Sequence, residues 1–231
     1  MFSWTFHPRP FFMAKGNKTM ISFVYFDVGG VVINDCKGND KFEKMKREFG
    51  IKAENDKEFN EFYDEYEKEV SLGKDIDTII PLIEKKFHIT FPAGYSMLAD
   101  FINRFEKNVY IQPVIDRIKQ DCRMGLLTNM YPRMLVAMTE KGIMPEAAWD
   151  VVIDSTIEGC RKPDLGIFKL AEQKANAKGG EILFVDNTIG NINAAKEFGW
   201  QTFFYDSANH KKSCSDLLDY YKQNETLRCP K

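Results

Sequence analysis

The chain predicts an α/β protein: a doubly wound, mainly parallel sheet with helices on both faces and a helical segment inserted after its first strand. Three observations predict it. Short apolar runs at 21–26, 124–128, 151–153, 182–185 and 202–205 are rich in β-branched and aromatic residues, the composition of strands buried on both faces. From about Ile111 onward, segments of helical period separate these runs, and that alternation builds parallel sheets. Between about Lys41 and Glu106 the period is helical throughout, with few strand signals.

The first run ends on Asp27, with Gly29 and Gly30 close behind. The glycines demand a tight turn at the strand's C-terminal end. In open α/β sheets that end is where ligands bind. A carboxylate there, beside backbone N–H groups bared by glycine, suits a nucleophile facing a phosphate, although an aspartate ending a strand can also simply cap a turn. In the helical segment, Phe59, Phe62, Tyr63, Tyr66 and Val70 recur at helical spacing, and residues 71–73 end that helix. Ile76, Ile79, Ile80, Ile83 and Phe87 form a second stripe. After a break at 91–94, Leu98, Phe101, Ile102 and Phe105 form a third. Stripes of this kind are the core of a small bundle. The α/β part then reads as a helix over 112–121, a strand ending at Thr128 and a helix over 132–141. A strand at 151–153 follows, then a helix over 165–177 with Ile167, Phe168, Leu170 and Ala171 inward. A strand at 182–185, a helix over 189–198, a strand at 202–205 and a closing helix over 214–222 complete it.

At 231 residues the chain is long enough for one domain plus an insertion. Hydrophobic residues make up 44% and charged residues 29%, ordinary for a globular protein. A net charge of −2 and a pI near 6.0 give no electrostatic case for nucleic acid or an anionic membrane surface. No run approaches transmembrane length. The five cysteines (Cys36, Cys122, Cys160, Cys214 and Cys229) form no CxxC pair and stand far from the three histidines (His7, His88 and His210). That pattern reads as a reduced, cytoplasmic protein without a zinc site. Residues 1–19 mix aromatic residues with prolines and basic residues and lack a continuous apolar stretch, so they read as a disordered leader rather than a signal peptide. Oligomeric state is not legible.

Four short segments occur in order: Phe26-Asp27-Val28-Gly29-Gly30-Val31, Met124-Gly125-Leu126-Leu127-Thr128-Asn129, Cys160-Arg161-Lys162-Pro163-Asp164, and Ile182-Leu183-Phe184-Val185-Asp186-Asn187 continuing to Asn191. In these the chain resembles the haloacid dehalogenase-like (HAD) hydrolase superfamily, over roughly residues 20 to 210. The resemblance implies an α/β core at 20–35 and 109–231, with a helical cap of the C1 type at 36–108. It extends to the branch similar to bacterial glucose-1-phosphate phosphatase. It implies Asp27 as nucleophile, forming an aspartyl-phosphate that water hydrolyses. It implies Mg²⁺ held by Asp27, the carbonyl of Gly29 and Asp186, a sparse oxygen set that suits that ion. Thr128 and the backbone N–H of Asn129 would bind the phosphoryl oxygens, and Lys162 would neutralise their charge. Asn187 and Asn191 would support the metal loop. The expected substrate is a small phosphorylated metabolite such as a sugar phosphate.

One departure stands out. Many relatives carry a second aspartate two residues after the nucleophile, and this chain has Gly29 there. General acid–base catalysis contributes about 10²–10⁴-fold. Asp35, further along the chain, is the candidate to reach back; a turn residue is the plainer reading. Two other functions stay open on the same scaffold: a metal-independent 2-haloacid dehalogenase, against which Asp186 argues, and a HAD-like binding protein with little turnover.

Overall fold

The computed structural model describes residues 19–36 and 38–225. Residues 1–18, which make up nearly all of the expected leader, lie outside the described residues, as does Cys229. The five principal strands are β1 (Phe23–Phe26), β4 (Arg123–Thr128), β5 (Val151–Asp154), β6 (Ile182–Asp186) and β7 (Gln201–Phe204). They form one sheet in the order β5-β4-β1-β6-β7, and every pairing is parallel. The strand carrying Asp27 is therefore central. Its alternation explains its composition: Phe23 and Tyr25 join one apolar cluster, Val24 and Phe26 the other. A strand covered on both faces must be apolar at every position. Gly125 on β4 is dictated by this packing, since a Cβ there would meet the Tyr25 ring at 2.8 Å and the Val151 carbonyl at 2.7 Å.

The flanking helices are α5 (Gln112–Lys119), α6 (Met134–Glu140), α7 (Ser155–Glu158), α8 (Leu165–Ala175), α9 (Ile189–Glu197) and α10 (His210–Glu225). Several bounds differ from the sequence expectation by a few residues. The helix expected over 132–141 begins only after Arg133, whose φ of 69° is left-handed and cannot continue a helix. The last strand begins at Gln201 rather than 202. The closing helix starts at His210, where the Asn209 side chain caps it by accepting from the Lys212 N–H (3.2 Å), and runs to Glu225.

Between β1 and β4 run α1 (Lys41–Glu48), α2 (Asp56–Val70), α3 (Ile80–Phe87) and α4 (Met97–Arg104). The expected stripes face inward: Phe59, Phe62, Tyr63, Val70, Ile76, Ile79, Ile83, Leu98, Phe101, Ile102 and Phe105 are buried. The apolar cluster of these helices is continuous with that of the sheet's α5 side. A two-stranded antiparallel ribbon not expected from the sequence, β2 (Ile33–Asn34) with β3 (Glu106–Lys107), joins the two ends of the helical segment. Two-residue strands carry no periodic signal, so only the pairing reveals them.

Next to this ribbon, the buried Asn108 amide donates to the Val31 carbonyl (2.7 Å) and the Tyr205 hydroxyl (2.9 Å), and that hydroxyl meets His210 Nδ1 at 3.1 Å. Burial lowers the His210 pKa from its ordinary 6.5, opposed by nearby Asp206 and aided by Lys41. A depressed folded-state pKa means that the unfolded chain binds the proton first as pH falls. The stability His210 contributes is thus complete above the unfolded value and lost as pH drops through the folded one. Thermal melts from about pH 7.5 to about pH 5 should fall more steeply for the native protein than for His210→Gln. Parallel curves would assign the acid sensitivity elsewhere.

Candidate active site

The parallel register builds the site. Phe26 pairs with Val185 on one side and Leu126 on the other. Asp27, the next residue, therefore stands level with Asp186 and one position short of Thr128, all at the C-terminal edge of the sheet. Backbone direction alone gathers three residues spread from position 27 to position 186 of the chain.

Lys162 enters from the loop before α8 and closes the group. Its ammonium lies 2.9 Å from Asp27 Oδ1 and 2.6 Å from Asp186 Oδ2. All three side chains are buried: Lys162 is 1% exposed, Asp27 5% and Asp186 0%. Burial by itself would lower the lysine pKa, but the carboxylates of Asp186 and Asp27 outweigh it and hold the ammonium above its usual range. Burial, and then the charge of Asp27, raises the Asp186 carboxyl despite Lys162. Two carboxylates sharing one ammonium leave one uncompensated negative charge in a closed environment, a costly arrangement that a further cation would relieve.

The surrounding polar groups fix this geometry. Asp27 Oδ1 also accepts from the Val28 N–H (2.8 Å). Asp186 accepts from the Thr188 N–H at Oδ1 (2.7 Å) and from the Asn191 amide at Oδ2 (3.0 Å), so Asp186 both orders the turn into α9 and meets Lys162. The Asn187 amide donates to the Gly29 carbonyl (3.0 Å) and to Ser207 Oγ (2.8 Å). It braces the β1 loop, and its nitrogen spends both hydrogens on that task. Gly30 holds φ at 72°, a conformation open to glycine at no steric cost. Asn129 has a function the sequence reading missed: its side chain accepts from the Lys162 N–H (2.8 Å) and donates to the Lys162 carbonyl (2.9 Å). This reciprocal pair clamps the backbone that carries the lysine. Thr128 is 1% exposed and its hydroxyl has no hydrogen-bond partner among the described residues. Leaving such a group unpaired costs about 1–3 kcal/mol, which a ligand oxygen would recover.

Above Asp27 opens a cavity of about 600 Å³, within the range of small-molecule sites. Asp27, Gly29, Asn129, Lys162 and Asn191 line it, with Asp186 buried directly against Lys162. The opposite wall comes from the helical segment, through Phe42, Tyr63 and Phe101. Two contacts tie that wall to the sheet side: Tyr63 and Tyr131 share a hydroxyl–hydroxyl hydrogen bond of 2.5 Å, and Arg161 meets Glu67 at 3.0 Å. Burial raises both tyrosine hydroxyls far above their ordinary range, so they remain neutral. The sequence marked Tyr63 only as core. Nothing local distinguishes a stripe residue that also faces a cavity. Among the described residues no cluster of three His, Cys, Asp or Glu side chains could hold a metal ion.

The family model of haloacid dehalogenase-like hydrolases matches residues 23–199. The chain belongs to this family. The search of curated proteins returned no match. Among solved structures, a HAD-like family hydrolase from Porphyromonas gingivalis superposes with a TM-score of 0.66 at 22% identity, covering 87% of this chain and 98% of that one. A HAD family enzyme from Bacteroides thetaiotaomicron, also solved in complex with magnesium and inorganic phosphate, gives a TM-score of 0.63 at 19% identity over 81% of this chain and 95% of that one. The L-2-haloacid dehalogenase from Xanthobacter autotrophicus, with chloropropionic acid covalently bound, gives 0.59 at 17% identity over 92% and 90%. At these identities the likeness is one of fold. The family establishes a HAD-like hydrolase, and both phosphate-binding and dehalogenating enzymes share its architecture. Among the described residues no helix is long and apolar enough to cross a membrane.

Proposed function

We propose that this HAD-like hydrolase cleaves small phosphomonoesters with Mg²⁺, through an aspartyl-phosphate on Asp27. The observation that carries the reading is the buried Asp27–Lys162–Asp186 group with its single uncompensated negative charge. Halide displacement by a carboxylate calls for no cation, whereas two buried carboxylates sharing one ammonium carry the spare charge that a divalent cation would neutralise.

The residues present fit the ion. Asp27 and Asp186 would hold it with the Gly29 carbonyl, which keeps a second lone pair beside the Asn187 hydrogen bond, and water would complete the shell as Mg²⁺ prefers. Bound there, the cation would supply charge neutralisation for the transferring phosphoryl group. The chain's own residues do the rest. Lys162 and Val28 N–H both engage Asp27 Oδ1, which leaves Oδ2 as the attacking oxygen. The same contacts hold the carboxylate in one orientation, so little entropy is lost on reaching the transition state. The unpaired Thr128 hydroxyl would donate to a phosphoryl oxygen, and the Asn129 clamp would keep Lys162 aimed at the same group. The aromatic wall favours an ester whose alcohol carries an apolar surface over a bare sugar.

The test is hydrolysis of a panel of aryl, alkyl and sugar phosphates, with Mg²⁺ and with EDTA, beside 2-chloropropionate. Phosphate release that EDTA abolishes is the expected result. Chloride release unaffected by EDTA would establish dehalogenation instead. Mg²⁺ binding without turnover of any member would favour the binding-protein reading.

A further inference from the structure

We propose that Asp35 is the proton donor and acceptor of this site, delivered to it by the loop after β1. The inference rests on the phosphomonoester hydrolase reading above. Expelling an alkoxide from phosphorus needs a proton, and hydrolysing the resulting acyl phosphate needs a base for water. Asp27 and Asp186 are both committed to Lys162. The cavity has three other carboxylates in its lining: Asp35, Asp64 and Glu67. Asp64 and Glu67 both belong to α2, on the wall that the helical segment contributes. Asp35 is 9% exposed and belongs to the wall that holds Asp27.

Its position has a structural cause. The Val28 carbonyl accepts from the N–H groups of Val31 (3.3 Å), Val32 (3.0 Å) and Ile33 (3.1 Å), which curls the chain back on itself after the nucleophile. Gly29 bridges Ile33, and β2 then brings Asp35 over Gly29. The Asn39 amide donates to the Asp35 carbonyl (2.8 Å). A Cβ built on Gly29 would lie 2.6 Å from Asp35 Oδ2. Gly29 has no positive φ, unlike Gly30, so backbone conformation does not require glycine there. Space does: the carboxylate of Asp35 occupies the volume into which a side chain at position 29 would begin to grow. The missing acid at 29 and the presence of Asp35 are one arrangement.

The chemistry balances in two steps. Asp27 attacks phosphorus, the bond from phosphorus to the ester oxygen breaks, and the departing oxygen takes its electron pair and the proton of Asp35. Asp35, now a carboxylate, removes a proton from water as the water oxygen attacks phosphorus. The bond to Asp27 breaks with its electrons returning to that carboxylate, inorganic phosphate leaves, and Asp35 is again protonated.

The test compares the Mg²⁺-loaded protein with Asp35→Asn, Asp27→Asn and Gly29→Ala, on 4-nitrophenyl phosphate and 2-phenylethyl phosphate. Nitrophenolate needs no proton to leave, whereas the alkoxide does. Asp35→Asn should lose about 10²–10⁴-fold on the alkyl ester. On the aryl ester its first turnover should stay within about tenfold of the native rate, giving a burst of one nitrophenolate per site before a slow steady state limited by water attack. Gly29→Ala keeps the backbone carbonyl and displaces the Asp35 carboxylate, so it should reproduce this pattern even if Asp35→Asn folds poorly. Unchanged alkyl turnover, or equal slowing of the first turnover on both esters, would overturn the assignment while leaving the hydrolase reading intact. If the native protein cleaves neither ester, or Asp27→Asn stays fully active, the hydrolase reading fails and the role of Asp35 falls with it.

Discussion

Asp27→Asn should abolish hydrolysis while leaving the protein at least as stable as before. An amide is not a nucleophile toward phosphorus, and losing a single catalytic nucleophile can cost on the order of 10⁶-fold in turnover. The stability expectation follows from charge. Asp27 and Asp186 share the ammonium of Lys162 with all three side chains buried. Removing one charge leaves a neutral Lys162–Asp186 pair, and it removes the second cause that raises the Asp186 carboxyl. Without Mg²⁺, urea denaturation should therefore give an unchanged or higher midpoint for Asp27→Asn. With Mg²⁺ the order should narrow or reverse, because an ion that binds only the folded native site stabilises it by mass action. A variant that lost stability without Mg²⁺ would mean that Asp27 is a structural partner of Lys162 before it is anything else.

Lys162→Met should have the opposite signature: severe loss of both stability and turnover. Methionine approximates the stem's volume but leaves two buried carboxylates facing each other without a counter-charge. Breaking a buried charge group from one side costs about 3–5 kcal/mol, a large part of the total stability of a chain of this size. Chemical denaturation measures it directly. The double variant Asp27→Asn with Lys162→Met should recover part of the loss, since the two sites are in contact and their effects are not additive. Full additivity would show that the three charges do not act as one group, contrary to the distances of 2.9 and 2.6 Å.

Much of the fold was legible because its signals are local. A strand buried on both faces must be apolar at every position, and 23–26 and 182–186 are nearly so. A helix packed on one side must repeat its apolar residues every three or four, and 59–70 does. Asp27, Lys162 and Asp186 stood out because each ends an apolar strand or precedes a helix, where a parallel sheet presents its ligands. What stayed hidden is two-body in nature. The β2–β3 ribbon is two residues long on each side and exists only through its partner. Asn129 reads as a loop amide until its side chain is seen to grip the Lys162 backbone, 33 positions away. Asn187 was expected to support the metal loop, but only the structure shows that its amide does so by bracing the Gly29 carbonyl.

The sequence by itself determined the architecture, the family resemblance and the residue types of the site, since burial and periodicity are written in neighbouring side chains. Only the tertiary structure decided how the charges balance, which walls enclose the cavity, and why position 29 is glycine. Each of those depends on distances between groups far apart in the chain. The backbone register and the loop after β1 set those distances, and no single stretch of sequence records them.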